Sequence, residues 1–128
     1  MGHRITAIDH VQLAMPAGEE EAATAFYQGV LGLERRPKPE PLAARGGCWF
    51  SNGSVEVHLG VEADFRPAAK AHPALVVDDL DDLVAALVSL GHVVRFDDEI
   101  SDLRRCYVAD PFGNRIELID ARTAVALS

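Results

Sequence analysis

Asp110-Pro111-Phe112-Gly113-Asn114-Arg115-Ile116-Glu117-Leu118-Ile119 is a tight turn that launches a strand. Asp110 opens the turn, Pro111 pre-sets φ at its second position, and Gly113 stands at its fourth. Beyond it, apolar and polar residues alternate. Ile116 and Leu118 share one face, and Arg115 and Glu117 share the other. A lone glutamate in such a strand belongs on the solvated side of a half-buried sheet. Three histidines at comparable positions elsewhere, His10, His58 and His72, give this one company.

Working back from the turn, Arg104–Val108 and Val93–Phe96 read as strands. Leu80, Leu83, Val84, Leu87 and Leu90 keep the spacing of an amphipathic helix, capped by Asp78 or Asp79 and stopped by Gly91. His72–Val77 reads as a strand that begins with a histidine. The first half has the same elements. Ile8–Met15 alternates, with Val11, Leu13 and Met15 on one face and His10, Gln12 and Ala14 on the other. Glu19, Glu20 and Glu21 suit the positive end of a helix whose Ala22 and Phe26 face a sheet; Gly29 and Gly32 close it. Pro37, Pro39 and Pro41 mark an edge segment and mobile loop between Arg35 and Arg45. Gly46–Ser51 is a strand ending at the turn pair Asn52-Gly53, and Val55–Leu59 returns with Glu56 and His58 on its polar face. Ala63–Ala71 is a polar connector, and the tail from Ala121 to Ser128 carries no clear role.

The order is strand, helix, three strands, twice over. Each helix ends in Leu-Gly, at Leu31-Gly32 and at Leu90-Gly91. In each half the residue 26 positions beyond that glycine is a candidate ligand, His58 and then Glu117. His10 and His72 open the two first strands. The expected fold is therefore α+β. Two βαβββ modules, about residues 5–61 and 70–120 of a single domain spanning 1–128, form a curved, cup-shaped mixed sheet with helices on its outer face. His10, His58, His72 and Glu117 then point towards one centre. Imidazoles with a carboxylate suit a divalent Zn, Fe, Mn or Ni ion.

A chain of 128 residues fits one domain with a self-sufficient core. Its net charge of -8 argues against nucleic acid or an anionic membrane as partner. No apolar run approaches the ~18 residues of a membrane span. The start, Met1-Gly2-His3-Arg4, lacks the apolar segment of an export signal, so a cytoplasmic location is expected. Cys48 and Cys106 form no paired motif and read as small buried hydrophobes. His3 and His92 read as surface residues.

Four stretches together resemble the vicinal oxygen chelate superfamily, which includes glyoxalase I, methylmalonyl-CoA epimerase, extradiol dioxygenases, fosfomycin-modifying thiol transferases and bleomycin-binding proteins. They are Ile8–Val11, Phe26-Tyr27 with Val30–Leu33, His72–Leu80 and Asp110–Leu118. The resemblance implies paired βαβββ modules, a homodimer, and a metal that chelates vicinal oxygens of a small substrate. Position by position it makes His10, His72 and Glu117 metal ligands. His58 falls at the fourth site, where glyoxalases commonly carry glutamate and the epimerases glutamine. Glu56 shares its face and is the alternative; the repeat register favours His58. Glu117 or Glu56 would move protons in a lyase, isomerase or dioxygenase reaction. Lys70 and Arg105 would meet an anionic substrate, with Gln12 and Trp49 lining the pocket and Tyr107 a candidate proton donor. The other readings are a fosfomycin-type thiol transferase and a metal-free drug-binding protein.

Overall fold

The computed structural model describes residues 2–124, so the last four positions of the tail lie outside the described residues. The elements in chain order are β1 (Val11–Met15), α1 (Glu20–Tyr27), β2 (Glu34–Arg36), β3 (Cys48–Ser51), β4 (Glu56–Val61), β5 (Ala74–Val77), α2 (Leu80–Ser89), β6 (Arg95–Asp97), β7 (Arg105–Ala109) and β8 (Arg115–Asp120). A single turn of 3₁₀ helix, Leu42–Arg45, lies in the proline-rich segment, and β2 before it is an edge strand. The strands form two separate four-stranded mixed sheets, ordered β1-β4-β3-β2 and β5-β8-β7-β6, and not one continuous sheet.

The duplication is written into the pairing. β1 runs parallel to β4 with Gln12 opposite His58, and β5 runs parallel to β8 with Ala74 opposite Glu117. Gln12 and Ala74 each stand two residues beyond the histidine that opens their module. Those histidines lie just upstream of their strands instead of within them. Pro73 has no N–H to enter a ladder, so β5 starts after it, although its carbonyl still accepts from Glu117 N–H at 3.0 Å.

One core joins the modules. The sealed stripe of α1 is Ala23, Phe26 and Tyr27, at i, i+3 and i+4, and Ala22 stands only at its margin. In α2, Leu80 and Leu87 are fully buried and Leu83 and Val84 partly so. Leu90, expected on that stripe, is 63% exposed because it occupies the C-cap, where the chain has left the helix. Asp79 is the N-cap and accepts from Asp82 N–H. His92 is half-buried, not superficial; its ring meets Phe26 edge-on at 5.3 Å. Among the described residues no helix is long and apolar enough to cross a membrane.

The turn at Asp110 clasps the two modules together. Asp110 Oδ1 accepts from the N–H groups of Phe112 and Asn114, both at 2.9 Å. Its Oδ2 accepts from Tyr27 Oη–H at 2.7 Å and Asn114 Nδ2–H at 2.8 Å. Asn114 Nδ2 also donates to the Ala14 carbonyl on β1 at 2.8 Å. Burial first, and the Asp110 carboxylate next, push the Tyr27 phenol far above its ordinary range, so it remains a donor.

Candidate functional site

On the first sheet the strand register lines up Arg36, Trp49, His58 and Gln12 across β2, β3, β4 and β1. Trp49 stacks on His58 at 4.1 Å and 7°, and His10 stacks on the same ring at 4.0 Å and 16°. Glu56 Oε2 lies 3.2 Å from His58 Nε2. His10, Glu56 and His58 each offer a ligand atom, all within 4.8 Å of one another. Where the sequence set Glu56 against His58 as alternatives, the fold holds both. Burial lowers the pKa of His58, outweighing the hydrogen bond to Glu56 that raises it, which favours the neutral ring that metals require. His10 Nδ1 is 2.8 Å from Asp9 Oδ2, a carboxylate partner of the kind that orients a ligating imidazole. Gln12 is exposed and lies over Gly60, where a Cβ would come within 2.6 Å of its Nε2.

The second sheet carries the equivalent row: Arg95, Tyr107, Glu117 and Ala74 across β6, β7, β8 and β5. His72 Nε2 lies 3.0 Å from Glu117 Oε1, and its Nδ1 lies 2.8 Å from the Lys70 carbonyl. A carbonyl only accepts, so Nδ1 carries a proton, and Nε2, which faces the Glu117 carboxylate, is the nitrogen through which a metal would be held. Lys70, expected to touch substrate through its ammonium, meets His72 through its backbone carbonyl; its side chain makes no hydrogen bond or ion pair among the described residues. Arg105 also departs from expectation. It donates from Nη1 to Glu117 Oε2 at 3.2 Å and from Nη2 to Asp97 at 3.3 Å, so its guanidinium serves the protein. Tyr107 meets His72 edge-on at 5.5 Å.

Within one chain the expected ligands thus fall into two groups: His10 and His58 with Glu56, and His72 with Glu117. Only the first makes a set of three or more such side chains among the described residues. The donor chemistry fits a divalent transition metal in both. Two imidazoles and a carboxylate form the first group. In the second, the 3.0 Å gap between Nε2 and Oε1 is that of adjacent ligands on bonds of about 2.1 Å, which lie roughly 3.0–3.4 Å apart. The cysteines supply no ligand. Both are buried and free, and burial pushes the Cys106 thiol up to about 11.

Two residues that the sequence reading passed over belong to the second face. Arg115 stands over the Tyr107 ring at 4.1 Å, and Arg95 is the register partner of Tyr107. The signal for Arg115 was in the opening motif, since it shares a face with Glu117 two residues on. A hollow of about 480 Å³ is lined by Gln12, His72, Asn114 and Arg115 among others. A larger one, about 740 Å³, belongs to the β6–β7 connection and contains none of the histidines.

Solved structures share this fold. A crystal structure described as that of a glyoxalase-family protein from Bacillus anthracis is 50% identical, covering 94% of this chain and 98% of that one, with a TM-score of 0.89. Two more distant structures are alike in fold alone. Lactoylglutathione lyase from Agrobacterium tumefaciens has 23% identity, covers 94% and 97% of the two chains, and has a TM-score of 0.67. A variant of the fosfomycin resistance protein FosX from Listeria monocytogenes, complexed with Mn(II) and 1S,2S-dihydroxypropylphosphonic acid, has 17% identity, 91% and 93% coverage, and a TM-score of 0.75. No curated protein matches the chain. The family model of the Glyoxalase/Bleomycin resistance protein/Dioxygenase superfamily matches residues 7–118, nearly the whole length, and the chain belongs to that superfamily.

Proposed function

We propose that the protein is a divalent-metal enzyme of lyase, isomerase or dioxygenase type, acting as a homodimer on a small, oxygenated, anionic substrate. The observation that carries this reading is the gathering of His10, Glu56 and His58 within 4.8 Å on the polar face of the first sheet. His10 and His58 would hold the ion from that sheet, and His72 and Glu117 from the second. The ion would supply polarisation of a carbonyl or enediol oxygen. Trp49, stacked on His58, walls the pocket, and Gln12 reaches into it from β1. Glu56 is the better proton carrier of the two candidates. Its carboxylate has one side-chain contact and its side chain is 39% exposed, whereas both oxygens of Glu117 are engaged by His72 and Arg105.

The homodimer is supported by the sheet ends. β1 and β5 are terminal strands, and Ile5 and Ile8 before β1 are 91% and 81% exposed, with Val76 on β5 58% exposed. Terminal strands with apolar neighbours invite pairing with another copy. A second copy would set one chain's first group against the other's second group. The free cysteines fit a reducing cytoplasm.

Trp49 is the sole tryptophan and lies against His58, so its fluorescence reports the site. Titrating chelator-treated protein with Mn²⁺, Zn²⁺, Ni²⁺ and Fe²⁺ should give a saturable emission change that His58→Ala abolishes. His72→Ala should weaken uptake. Metal content well under half an ion per chain after reconstitution would defeat the enzymatic reading. The ion pair between Arg105 and Glu117 specifically favours a second reading, a metal-free small-molecule binder, because it neutralises a carboxylate that a metal would otherwise claim.

A further inference from the structure

The two sheets carry the same row of side chains but opposite charge beside it. Arg36, Trp49 and His58 match Arg95, Tyr107 and Glu117: an edge arginine, an aromatic and a donor in register. The residue two before the donor lies on the same face of the strand, about 6.6 Å away along the backbone. In the first sheet it is Glu56; in the second it is Arg115. The first position adds a carboxylate to a group of metal donors. The second adds a cation to a face that already carries Arg95.

Neither Arg95 nor Arg115 has a carboxylate within ion-pair distance among the described residues. The acids on that face, Asp97 and Glu117, are both taken by Arg105. Two uncompensated guanidinium groups on one face are notable in a chain of net charge -8. They also share a hollow of about 350 Å³, with Tyr107 between them in its lining. The contact of Arg115 with the Tyr107 ring at 4.1 Å restrains its planar fork, leaving its N–H groups for a ligand. Arg115 borders the hollow that contains His72 as well.

We infer that Arg95 and Arg115, flanking Tyr107, form an oxyanion subsite that takes a carboxylate or phosphonate of the substrate beside the His72–Glu117 pair. The duplicated scaffold has thereby divided its labour at one repeat position: the first sheet sets a carboxylate, Glu56, beside its donor, and the second sets a cation, Arg115, there for the anionic end of the substrate. Planar guanidinium groups recognise both kinds of oxyanion through paired N–H donors, and lysine cannot reproduce that geometry. The inference deepens the proposed function and rests on it for the role of the first sheet. The anion site itself is testable without metal.

The test is calorimetric titration of chelator-treated full-length protein with phosphonoacetate and with malonate at low ionic strength. Wild type should bind at least one probe, and the one bound more tightly identifies the preferred oxyanion. The double variant Arg95→Ala/Arg115→Ala should lose about tenfold or more in affinity, a difference of about 1.4 kcal/mol. Arg115→Lys should lose part of it, and Arg4→Ala, exposed in the N-terminal stretch and outside the lining of both hollows, should lose none. Should the double variant fail to fold, Arg115→Ala and Arg115→Lys carry the comparison. Wild-type binding unchanged in the arginine variants, an equal loss in Arg4→Ala, or no binding of either probe would overturn the subsite. Arginine-dependent anion binding with no metal response from Trp49 would instead support the subsite and remove the metalloenzyme reading.

Discussion

At the scale of single residues, buried hydrogen bonds decide what a substitution costs. Tyr27 Oη–H and Asn114 Nδ2–H are the donors to Asp110 Oδ2, and the first spans the two modules. Tyr27→Phe keeps the ring packing and leaves that oxygen under-satisfied, so urea unfolding should show a loss of about 1–3 kcal/mol. Asp120 is sealed from solvent and accepts from Arg122 N–H, Nε–H and Nη2–H at 2.9, 3.1 and 2.7 Å. Those side-chain bonds, then the backbone one, lower its pKa from 3.8 to about 2. A carboxylate held below its unfolded value stabilises the fold above that value. The contribution disappears as pH falls through the folded one. The stability difference between wild type and Asp120→Asn should therefore be constant above a pH of about 5 and shrink between about 4 and 2. A difference that stays level across that window would show that the carboxylate charge contributes nothing. The Tyr27–Asp110 bond was not legible in the sequence, because a tyrosine 83 positions from its acceptor leaves no local trace.

Elements were read more securely than their boundaries. The period of α2, its cap at Asp78 or Asp79 and the hairpin turn Asn52-Gly53 follow from local chemistry, and the fold reproduces them with Asp79 as the cap. Strand ends moved by one to three residues because ladder partners, not propensity, set where pairing starts. Two glycines show the difference between local and tertiary constraint. Gly53 has φ +94°, and a Cβ there would meet nothing within 4 Å, so Gly53→Ala should cost only about 1 kcal/mol of backbone strain. Gly47 has φ +85°, and a Cβ there would come 2.2 Å from the Leu59 carbonyl oxygen, which is backbone of the paired strand and cannot rotate away. Gly47→Ala should lower stability by at least about 3 kcal/mol, seen as a large fall in melting temperature against a small one for Gly53→Ala. Equal falls would show that the strand yields more easily than its pairing suggests.

At the scale of the molecule, the duplicated module explains both the fold and the division of the site. Each copy positions one group of donors, and a single chain keeps the groups apart. Sedimentation equilibrium should give twice the protomer mass, and Ile8→Glu or Val76→Glu, which charge the exposed apolar neighbours of the terminal strands, should shift the protein towards single copies. Mass at the single-chain value over the whole concentration range would remove the dimer from the proposed function.

The sequence by itself determined the repeated βαβββ order, the helix faces in outline, the turn at Asp110 and the residue types available as ligands. Those are consequences of period, turn chemistry and spacing, which act between near neighbours. Only the tertiary structure decided that the strands form two sheets, that Glu56 joins His10 and His58, that Arg105 is consumed by Glu117 and Asp97, and that Arg95 and Arg115 are left without acids. These depend on which strands lie side by side and on where long side chains end. Such distances are set by register and burial across the fold, and no stretch of sequence contains them.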